Sequence, residues 1–296
     1  MSATNTKETL DGLMPATLKV FDKVSKLNCI KDLWLCGGTA ISLQLHHRLS
    51  EDLDFELLGT KKDRPELEFN KIITEVTDVF PGSRKEIMGE DHFLMTLPGE
   101  VKLSFFRPAN PVPSITAGLQ IGNVIMPTLQ ELLGMKMYVA TQRGAYRDYY
   151  DIYCLLEKGC SFSEGMQYAL NFSRHTIHTK DIVSSLTAAK LFLKDKSFEI
   201  DLKPKVNISS QQICERIKEE IANLSRSDRQ DWKLVENNGK YNYTNAKNEL
   251  MTGRWFDEAS EFRGGFAVVS RQGKTYKINE EGIVTEIIRE APKLKI

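Results

Sequence analysis

The sequence predicts an α+β chain: a mixed sheet with helices, a helical segment behind it, and a small module of β-hairpins at the end. Three observations carry this. Short apolar or alternating stretches such as "DLWLCGG" and "DLDFELL" interrupt helical periodicity in the first half. Well-marked helical patterns fill the middle. The tail repeats itself at an offset of 34 residues, each copy reading strand, glycine turn, strand.

In chain order, residues 8–27 predict an amphipathic helix, with Leu10, Leu13, Met14, Leu18 and Phe21 at helical spacing. "DLWLCGG" is a short strand ending in Gly37 and Gly38, "TAISLQLHHR" returns to helix, and "DLDFELL" alternates with the strand period. A helix follows over 66–79, and then "HFLMTL" and "VKLSFFRP" form a strand pair joined by Pro98 and Gly99. Thr128 and Glu131 make a capping box just ahead of an apolar run, which predicts a helix start. "RDYYDIYCLLEKG" is a further helix closed by Gly159. One or two more helices fill 163–194, and the polar stretch "KDKSFEIDLKPKVNISS", with Pro204, reads as a boundary.

The tail units begin at Trp232 ("WKLVENNGKYNYTNAKNEL") and Phe266 ("FAVVSRQGKTYKINEEGIV"). Val235, Gly239, Lys240 and Asn245 recur as Val269, Gly273, Lys274 and Asn279. The expected organisation is a mixed α/β domain with a helical C-terminal part over 1–196, a linker over 197–225 and a β-rich repeat module over 226–296.

Composition narrows the function classes. The chain has 296 residues, 41% hydrophobic and 27% charged, enough to bury a core. Lys+Arg and Asp+Glu are both 40, so any nucleic-acid contact must come from a local basic surface. Cys29, Cys36, Cys154, Cys160 and Cys214 are odd in number, widely spaced and never CxxC, which predicts reduced thiols without a zinc site. The start lacks a basic region followed by an apolar run, and no stretch reaches membrane-span length. A cytoplasmic protein with no membrane partner is expected.

The chemistry concentrates in "LWLCGGTAISLQLHHRLSEDLDFELL". Asp52 and Asp54 are two apart on a strand, so both carboxylates face one way and can hold a hard divalent cation, usually Mg²⁺, against phosphate oxygens. Gly37 and Gly38 sit where strand turns into helix; they serve a tight turn or let a triphosphate approach backbone amides. Thr39 caps that helix or donates to a phosphate, and Arg48 and Ser50 stand close enough to the acids to touch phosphate. Lys136 shares the apolar stripe of its helix with Leu129, Leu132 and Leu133, so it either snorkels outward or meets an anion. Asp148 and Asp151 share a helix face, and with Arg143 and Arg147 they also fit a solvated salt-bridge ladder. Adjacent His46 and His47 point about 100° apart on a helix and cannot form a joint metal pair. His175 and His178 read as surface residues, and no local pattern supports a Ser–His–Asp or Cys–His site.

The order strand, Gly-Gly, short helix, Asp-x-Asp on a strand resembles the nucleotidyltransferase superfamily of the DNA polymerase beta type. "GGTAISLQLHHRLSEDLDF" is similar, more closely, to the abortive-infection nucleotidyltransferase toxins of the AbiEii/AbiGii kind. "LQELLGMKMYVATQRGAYRDYYDIYCLL" resembles that family's second signature, and together the two matches frame residues 33–156. The resemblance implies a polymerase-beta-like core and a Mg²⁺-dependent transfer of a nucleoside monophosphate from an NTP to an RNA acceptor, especially a tRNA 3′ end, with a cognate antitoxin as partner. It also implies that Asp52 and Asp54 bind metal, Lys136 contacts phosphate and Asp148 completes the catalytic set. The nucleotide-binding set is then Gly37, Gly38, Thr39, Arg48, Ser50 and Lys136.

One feature departs from the superfamily. A third carboxylate is expected on a later strand, yet "GEVKLSFFRP" offers Lys102 and Ser104 at its centre and Glu100 only at its edge. The acid is then supplied elsewhere, with Asp148 the candidate, or metal is held more weakly. A protein or small-molecule hydroxyl is the alternative acceptor, and a catalytically weak binding protein using its tail is the alternative of another class. The tail resembles bacterial WG-type repeats, although Tyr241-Asn242 and Thr275-Tyr276 replace the Trp-Gly pair. That likeness implies a hairpin interaction module without chemistry.

Overall fold

Strand β2 (Leu53–Glu56) alternates buried and half-buried residues, as "DLDFELL" predicts, and its two faces organise the fold. The computed structural model describes residues 10–58, 66–89, 91–107, 115–173, 176–188, 200, 202–227, 232–245, 247–262, 266–279, 282 and 284–286. β2 lies in a seven-stranded sheet of order β3-β4-β5-β2-β1-β7-β6. The other strands are β1 (Trp34–Cys36), β3 (Arg84–Met88), β4 (His92–Thr96), β5 (Lys102–Phe106), β6 (Ala117–Ile121) and β7 (Val124–Pro127). β2 pairs antiparallel with β1, placing Cys36 opposite Asp54, and parallel with β5, placing Ser104 opposite Asp54. Leu53, Phe55, Leu103 and Phe105 are fully buried, and Phe55 stacks on Phe105 at 5.7 Å between ring centroids. The residues between them, Asp54 and Ser104, therefore stand on the opposite face.

The helices follow local signals. α1 (Pro15–Val24) has proline at its first turn, where the missing N–H costs nothing. It is shorter than the span 8–27, because Leu10–Gly12 form a 3₁₀ turn and residues before 10 lie outside the described set. Leu18, placed on its apolar stripe by spacing alone, is exposed. α2 (Gly37–Leu45) begins as β1 ends. α3 (Phe69–Val79) precedes β3. α4 (Leu129–Gln142) starts at Thr128 with the full capping box: Thr128 Oγ1 accepts from the Glu131 amide, and the Glu131 carboxylate accepts from the Thr128 amide. α5 (Tyr146–Glu157) ends before Gly159, whose φ of 96° few other residues adopt. α6 (Phe162–Phe172) and α7 (Thr179–Thr187) supply the helices expected in 163–194, as far as residue 188. α6 approaches α4 closely at Gly134, where a Cβ would stand 2.3 Å from that of Tyr168. His178 caps α7, while His175 lies outside the described residues.

Residues 202–208 are tied to the turn after α2. Leu49 N–H donates to the Leu202 carbonyl (2.6 Å) and Lys205 N–H to that of His47 (2.9 Å). Tyr150 Oη donates to the His47 carbonyl (3.2 Å), and Tyr146 Oη donates to that of Ile208. α8 (Ser210–Ser227) follows, with Ile213, Cys214 and Ile217 buried. The chain divides into compact units of residues 1–221 and 222–296. The expected boundary after Lys196 lies outside the described residues. No described helix is long and apolar enough to cross a membrane.

The second unit contains the two hairpins of the repeat. β8 (Lys233–Asn237) pairs with β9 (Lys240–Thr244), and β11 (Phe266–Arg271) with β12 (Lys274–Asn279). Their turns, Asn238-Gly239 and Gln272-Gly273, have φ of 50° and 71° and of 53° and 75°. Positive φ at both positions is the signature of tight hairpin turns and explains the recurring glycine. β10 (Glu258–Ala259) and β13 (Val284–Glu286) flank the second hairpin in a four-stranded sheet. Tyr243, Phe256, Ala267, Val269 and Ile278 form the core of this unit.

Thr128→Ala removes the cap of α4 and one partner of Glu131. It should cost about 1 kcal/mol, the usual loss for an N-cap. A lower urea midpoint at unchanged m-value would show it; an unchanged midpoint would mean the cap contributes nothing to stability.

Candidate active site

A cleft of about 450 Å³ lies between the Asp54 face of the sheet and α4. Gly37, Gly38, Arg48, Ser50, Asp52, Asp54 and Lys136 all line it. Glu56, Phe106, Arg107, Arg143 and Arg147 complete its polar and aromatic walls, with Leu132, Met135 and Val139 as the apolar side of α4. Of the residues singled out in the sequence, Thr39 and Asp148 stand behind the lining.

The two glycines have steric reasons as well as any role toward a ligand. Gly37 has φ of 67°, and a Cβ there would meet Asp54 Oδ2 at 2.9 Å. A Cβ on Gly38 would lie 2.2 Å from Arg48 Nη2. Both carbons are missing where a catalytic-type carboxylate and a buried guanidinium press against the start of α2. Thr39 is buried. Its hydroxyl is bonded to that of Ser50 (2.8 Å) and donates to the Asp52 carbonyl, so it ties α2 to the strand rather than pointing into the cleft.

Behind the cleft is a buried ionic knot. Asp151 is fully buried and meets Arg48 through two parallel bonds, Nε to Oδ1 at 2.7 Å and Nη2 to Oδ2 at 2.9 Å. His47 Nε2 also bonds Oδ1 (2.7 Å), and Lys136 Nζ stands 2.9 Å from Oδ2. Lys136 Nζ donates to Asp148 Oδ1 at 2.8 Å, and Arg143 Nε to Asp148 Oδ2 at 3.1 Å. Lys136 thus meets an anion, as one reading of its apolar position allows, and the anion is a pair of carboxylates. Burial would raise Asp151, but Arg48, Lys136 and the hydrogen bonds from His47 and Arg48 reverse this and hold it well below the usual carboxylate range. Asp148 is lowered in the same way, burial being outweighed by Lys136 and then Arg143. A carboxylate held by two cations is a weak proton acceptor, which bears directly on Asp148 as an activating group. Burial depresses His47 against the pull of Asp151, leaving it neutral near pH 7.

Asp52 and Asp54 contrast with this knot. Both are half-buried, and among the described residues neither is in an ion pair with a cation. Asp54 is raised by burial and by the Asp52 charge, only partly offset by the Ser104 hydrogen bond, Lys136 and Arg143. Two close carboxylates without a counter-ion fit a divalent cation. No group of three or more His, Cys, Asp or Glu suited to a metal occurs among the described residues. A two-acid seat suits Mg²⁺, which keeps waters and completes its shell with substrate phosphates.

Glu56 was not among the residues singled out in the sequence. Asp52 precedes the first residue of β2, while Asp54 and Glu56 share one face of that strand, and all three line the cleft. Burial, then the charge of Asp54, pushes the Glu56 carboxyl up to about 7. The signal was present as the last acid of "DLDFE". On β5, where a third carboxylate is expected, Ser104 occupies the position beside Asp54.

A model of the nucleotidyl transferase AbiEii toxin family, of type IV toxin–antitoxin systems, matches residues 24–234, more than half of the chain. A protein of Aquifex aeolicus is 28% identical over 140 residues, which is 47% of this chain and 65% of that protein; the chain thus spans less than two thirds of that relative. Among solved structures, JHP933 from Helicobacter pylori is similar at 14% identity and a TM-score of 0.39, over 73% of this chain and 100% of that one. MenT4, a nucleotidyltransferase toxin from Mycobacterium tuberculosis, is similar at 14% identity and a TM-score of 0.45, over 75% of this chain and 87% of that one.

Asp151→Asn should leave Arg48 and Lys136 buried with half their partner and cost about 3–5 kcal/mol, the usual loss on breaking a buried pair. Because the folded-state pKa of Asp151 is depressed, its contribution is complete above the unfolded value of about 4 and fades as pH falls below it. Urea midpoints should therefore separate the variant from the wild type at neutral pH and converge in acid; parallel curves throughout would contradict the assignment. Glu56 carries the opposite sign. Its pKa rises from 4.5 to about 7 on folding, so the folded state binds more protons in that window and loses stability as pH rises through it. Glu56→Gln should match the wild type below the lower value and be more stable above the upper one, as read from urea midpoints on either side. A variant less stable at high pH would mean the carboxylate has a favourable partner.

Proposed function

Because the chain belongs to the nucleotidyl transferase AbiEii toxin family, we propose that its cleft transfers a nucleoside monophosphate from an NTP to a hydroxyl of an RNA acceptor, a tRNA 3′ end being the leading candidate. The observation that carries this is the charge arrangement. Among the described residues Asp52 and Asp54 are in no ion pair with a cation on the cleft floor, while Lys136, Arg143 and Arg147 line the facing wall. Such a site attracts a divalent cation to one side and phosphates to the other.

Asp52 and Asp54 would hold Mg²⁺, which supplies charge neutralisation to the reacting phosphate when bound. The backbone at Gly37 and Gly38, where α2 begins without a side-chain cap, would take the far phosphates. Lys136 would neutralise the chain of phosphates, held in place by Asp148 and Asp151. Arg48, Ser50 and Thr39 would brace the floor on which the nucleotide rests. The acceptor oxygen would form its bond to the α-phosphorus as the bond to pyrophosphate breaks, and its hydroxyl proton would pass to solvent water. Arg143 and Arg147, exposed at the rim, suit the phosphodiester backbone of an RNA. The chemistry belongs to the first unit in this reading, and the hairpin module over 226–296 serves selection of a partner, such as a cognate antitoxin.

The test is incubation of the purified full chain with each labelled NTP, Mg²⁺ and total cellular RNA. Label should pass to RNA with the wild type, and Asp54→Asn should lose transfer by at least about a thousandfold while keeping its fold, since a metal seat is removed. Label on protein would move the acceptor to another class. A fully active Asp54→Asn variant would exclude the carboxylate pair as the metal seat.

A further inference from the structure

We propose that His47 is a positioning residue for this cleft: as a neutral imidazole it locks the Asp151 carboxylate against Lys136, and its protonation releases that lock and weakens the hold on the triphosphate. The proposal rests on the nucleotide reading of the cleft, in which Lys136 meets phosphate. It adds the group that keeps Lys136 in place and the condition that frees it.

The contacts at Asp151 assign this role. Its Oδ1 takes Arg48 Nε and His47 Nε2, each at 2.7 Å. Its Oδ2 takes Arg48 Nη2 at 2.9 Å and stands 2.9 Å from Lys136 Nζ. The guanidinium fork fixes the plane of the carboxylate, and His47 fills the remaining place on Oδ1, so that Oδ2 is the oxygen given to Lys136. A carboxylate only accepts, so Nε2 carries the ring proton and Nδ1 keeps a lone pair. The ring is itself held from two sides. It is 6% exposed and stacks on Tyr150 at 5.7 Å, 15° from parallel. The His47 carbonyl accepts from Tyr150 Oη (3.2 Å) and from the Lys205 amide (2.9 Å). His47 is not part of the cleft lining, so any effect on a bound nucleotide passes through Asp151.

The other ring nitrogen makes the arrangement sensitive to acid. Nδ1 is buried and has no hydrogen-bond partner among the described residues. A proton added there creates a buried donor without an acceptor, on a cation set beside Arg48 and Lys136. Burial lowers the His47 pKa most; the Asp151 hydrogen bond and charge oppose this, and Arg48 and Lys136 add to the lowering. The ring is therefore neutral at pH 7–8 and takes a proton only as pH falls below the ordinary imidazole value of about 6.5. The charged ring leaves the knot, Asp151 loses one donor, and Lys136 loses the fixed partner that aims it. The other groups packed around the ring keep their charge in this window. On α5, Asp148 and Asp151 are held low by their cations, while burial pushes Cys154 up to about 12 and Tyr150 upward as well. His46 is the exception; burial and then Lys205 lower it too, so it needs its own control.

The experiment combines calorimetry of the full chain, with Mg²⁺ and each of the four NTPs, with NMR of its ¹⁵N-labelled imidazoles, from about pH 8 to about 5.5, across the ordinary imidazole range. At the upper end NMR should show His47 neutral and protonated on Nε2. His47→Leu removes the donor and should weaken NTP binding by about tenfold or more, the scale of one charge-assisted hydrogen bond. His47→Gln offers an amide N–H in place of Nε2–H but cannot take a proton. It should rescue most of what leucine loses, and between the two pH limits it should lose about fivefold less affinity than the wild type, since its donor does not titrate. Asp54 and Glu56 are common to every variant, so the comparison isolates His47. His46→Asn, which suits the left-handed φ of 54° there, should keep the wild-type profile. A charged or Nδ1-protonated ring at the upper pH, identical profiles for wild type and His47→Gln, or a His47→Leu variant that binds as the wild type does would each overturn the proposal while leaving the nucleotide cleft standing. A wild type that binds none of the four NTPs would overturn the nucleotide reading, and the effect assigned to His47 with it.

Discussion

One buried carboxylate sets the geometry of this cleft. Asp151 is reached by Arg48 and His47 from the turn after α2 and by Lys136 from α4. Three segments distant in sequence are thereby fixed at one point. A fully buried charge is tolerated only when its oxygens are met by cations and donors, and here each oxygen has two. Breaking this knot would free Arg48, against which Gly38 is fitted, and Lys136, which forms the wall of the cleft. Asp148 repeats the device one turn earlier, with Lys136 and Arg143. The acids thus fall into two groups: Asp148 and Asp151 are paired with cations, while among the described residues Asp52, Asp54 and Glu56 are in no ion pair.

That contrast gives the cleft its chemistry. Cations hold Asp148 and Asp151 in the charged form, whereas burial disfavours the charged form of Asp54 and Glu56. Burial raises Asp54 and Glu56, and the charge of a neighbouring acid, Asp52 for Asp54 and Asp54 for Glu56, adds to it. Ser104, in the strand position where an acid would complete a three-carboxylate set, donates to Asp54 instead.

Much of this was legible in the sequence. The alternation of "DLDFELL", the Gly37–Gly38 turn, the Thr128–Glu131 box and the repeated hairpins rest on rules of short range, and local rules survive folding. Other features escaped for physical reasons. The β6–β7 hairpin turns at Gly122 and Asn123 between modestly apolar strands, which carry little periodic signal. α8 has Ile213 and Ile217 one turn apart within polar residues, a pattern that a Pro-containing, charged approach obscured. Above all, partners distant in sequence cannot be read from spacing. Arg48 and Ser50 line the cleft beside the acids, but their bonds to Asp151 and Thr39 carry no signal in the spacing. By spacing alone Asp151 fits a rung of a surface ladder, while the family resemblance implies a structural role; it is fully buried, as is Asp148.

The central claim is that Asp52 and Asp54 seat a cation facing Lys136 across a nucleotide. Crystals of the full chain grown with a non-hydrolysable NTP analogue and Mn²⁺ test it most directly, since the metal reveals itself by anomalous scattering. The account predicts a metal bonded to oxygens of both carboxylates at about 2.1 Å, the distance for a small hard divalent ion, with a phosphate oxygen completing its shell and the triphosphate lying between Gly38 and Lys136. A nucleotide bound outside this cleft, or a metal that does not touch Asp54, would contradict it.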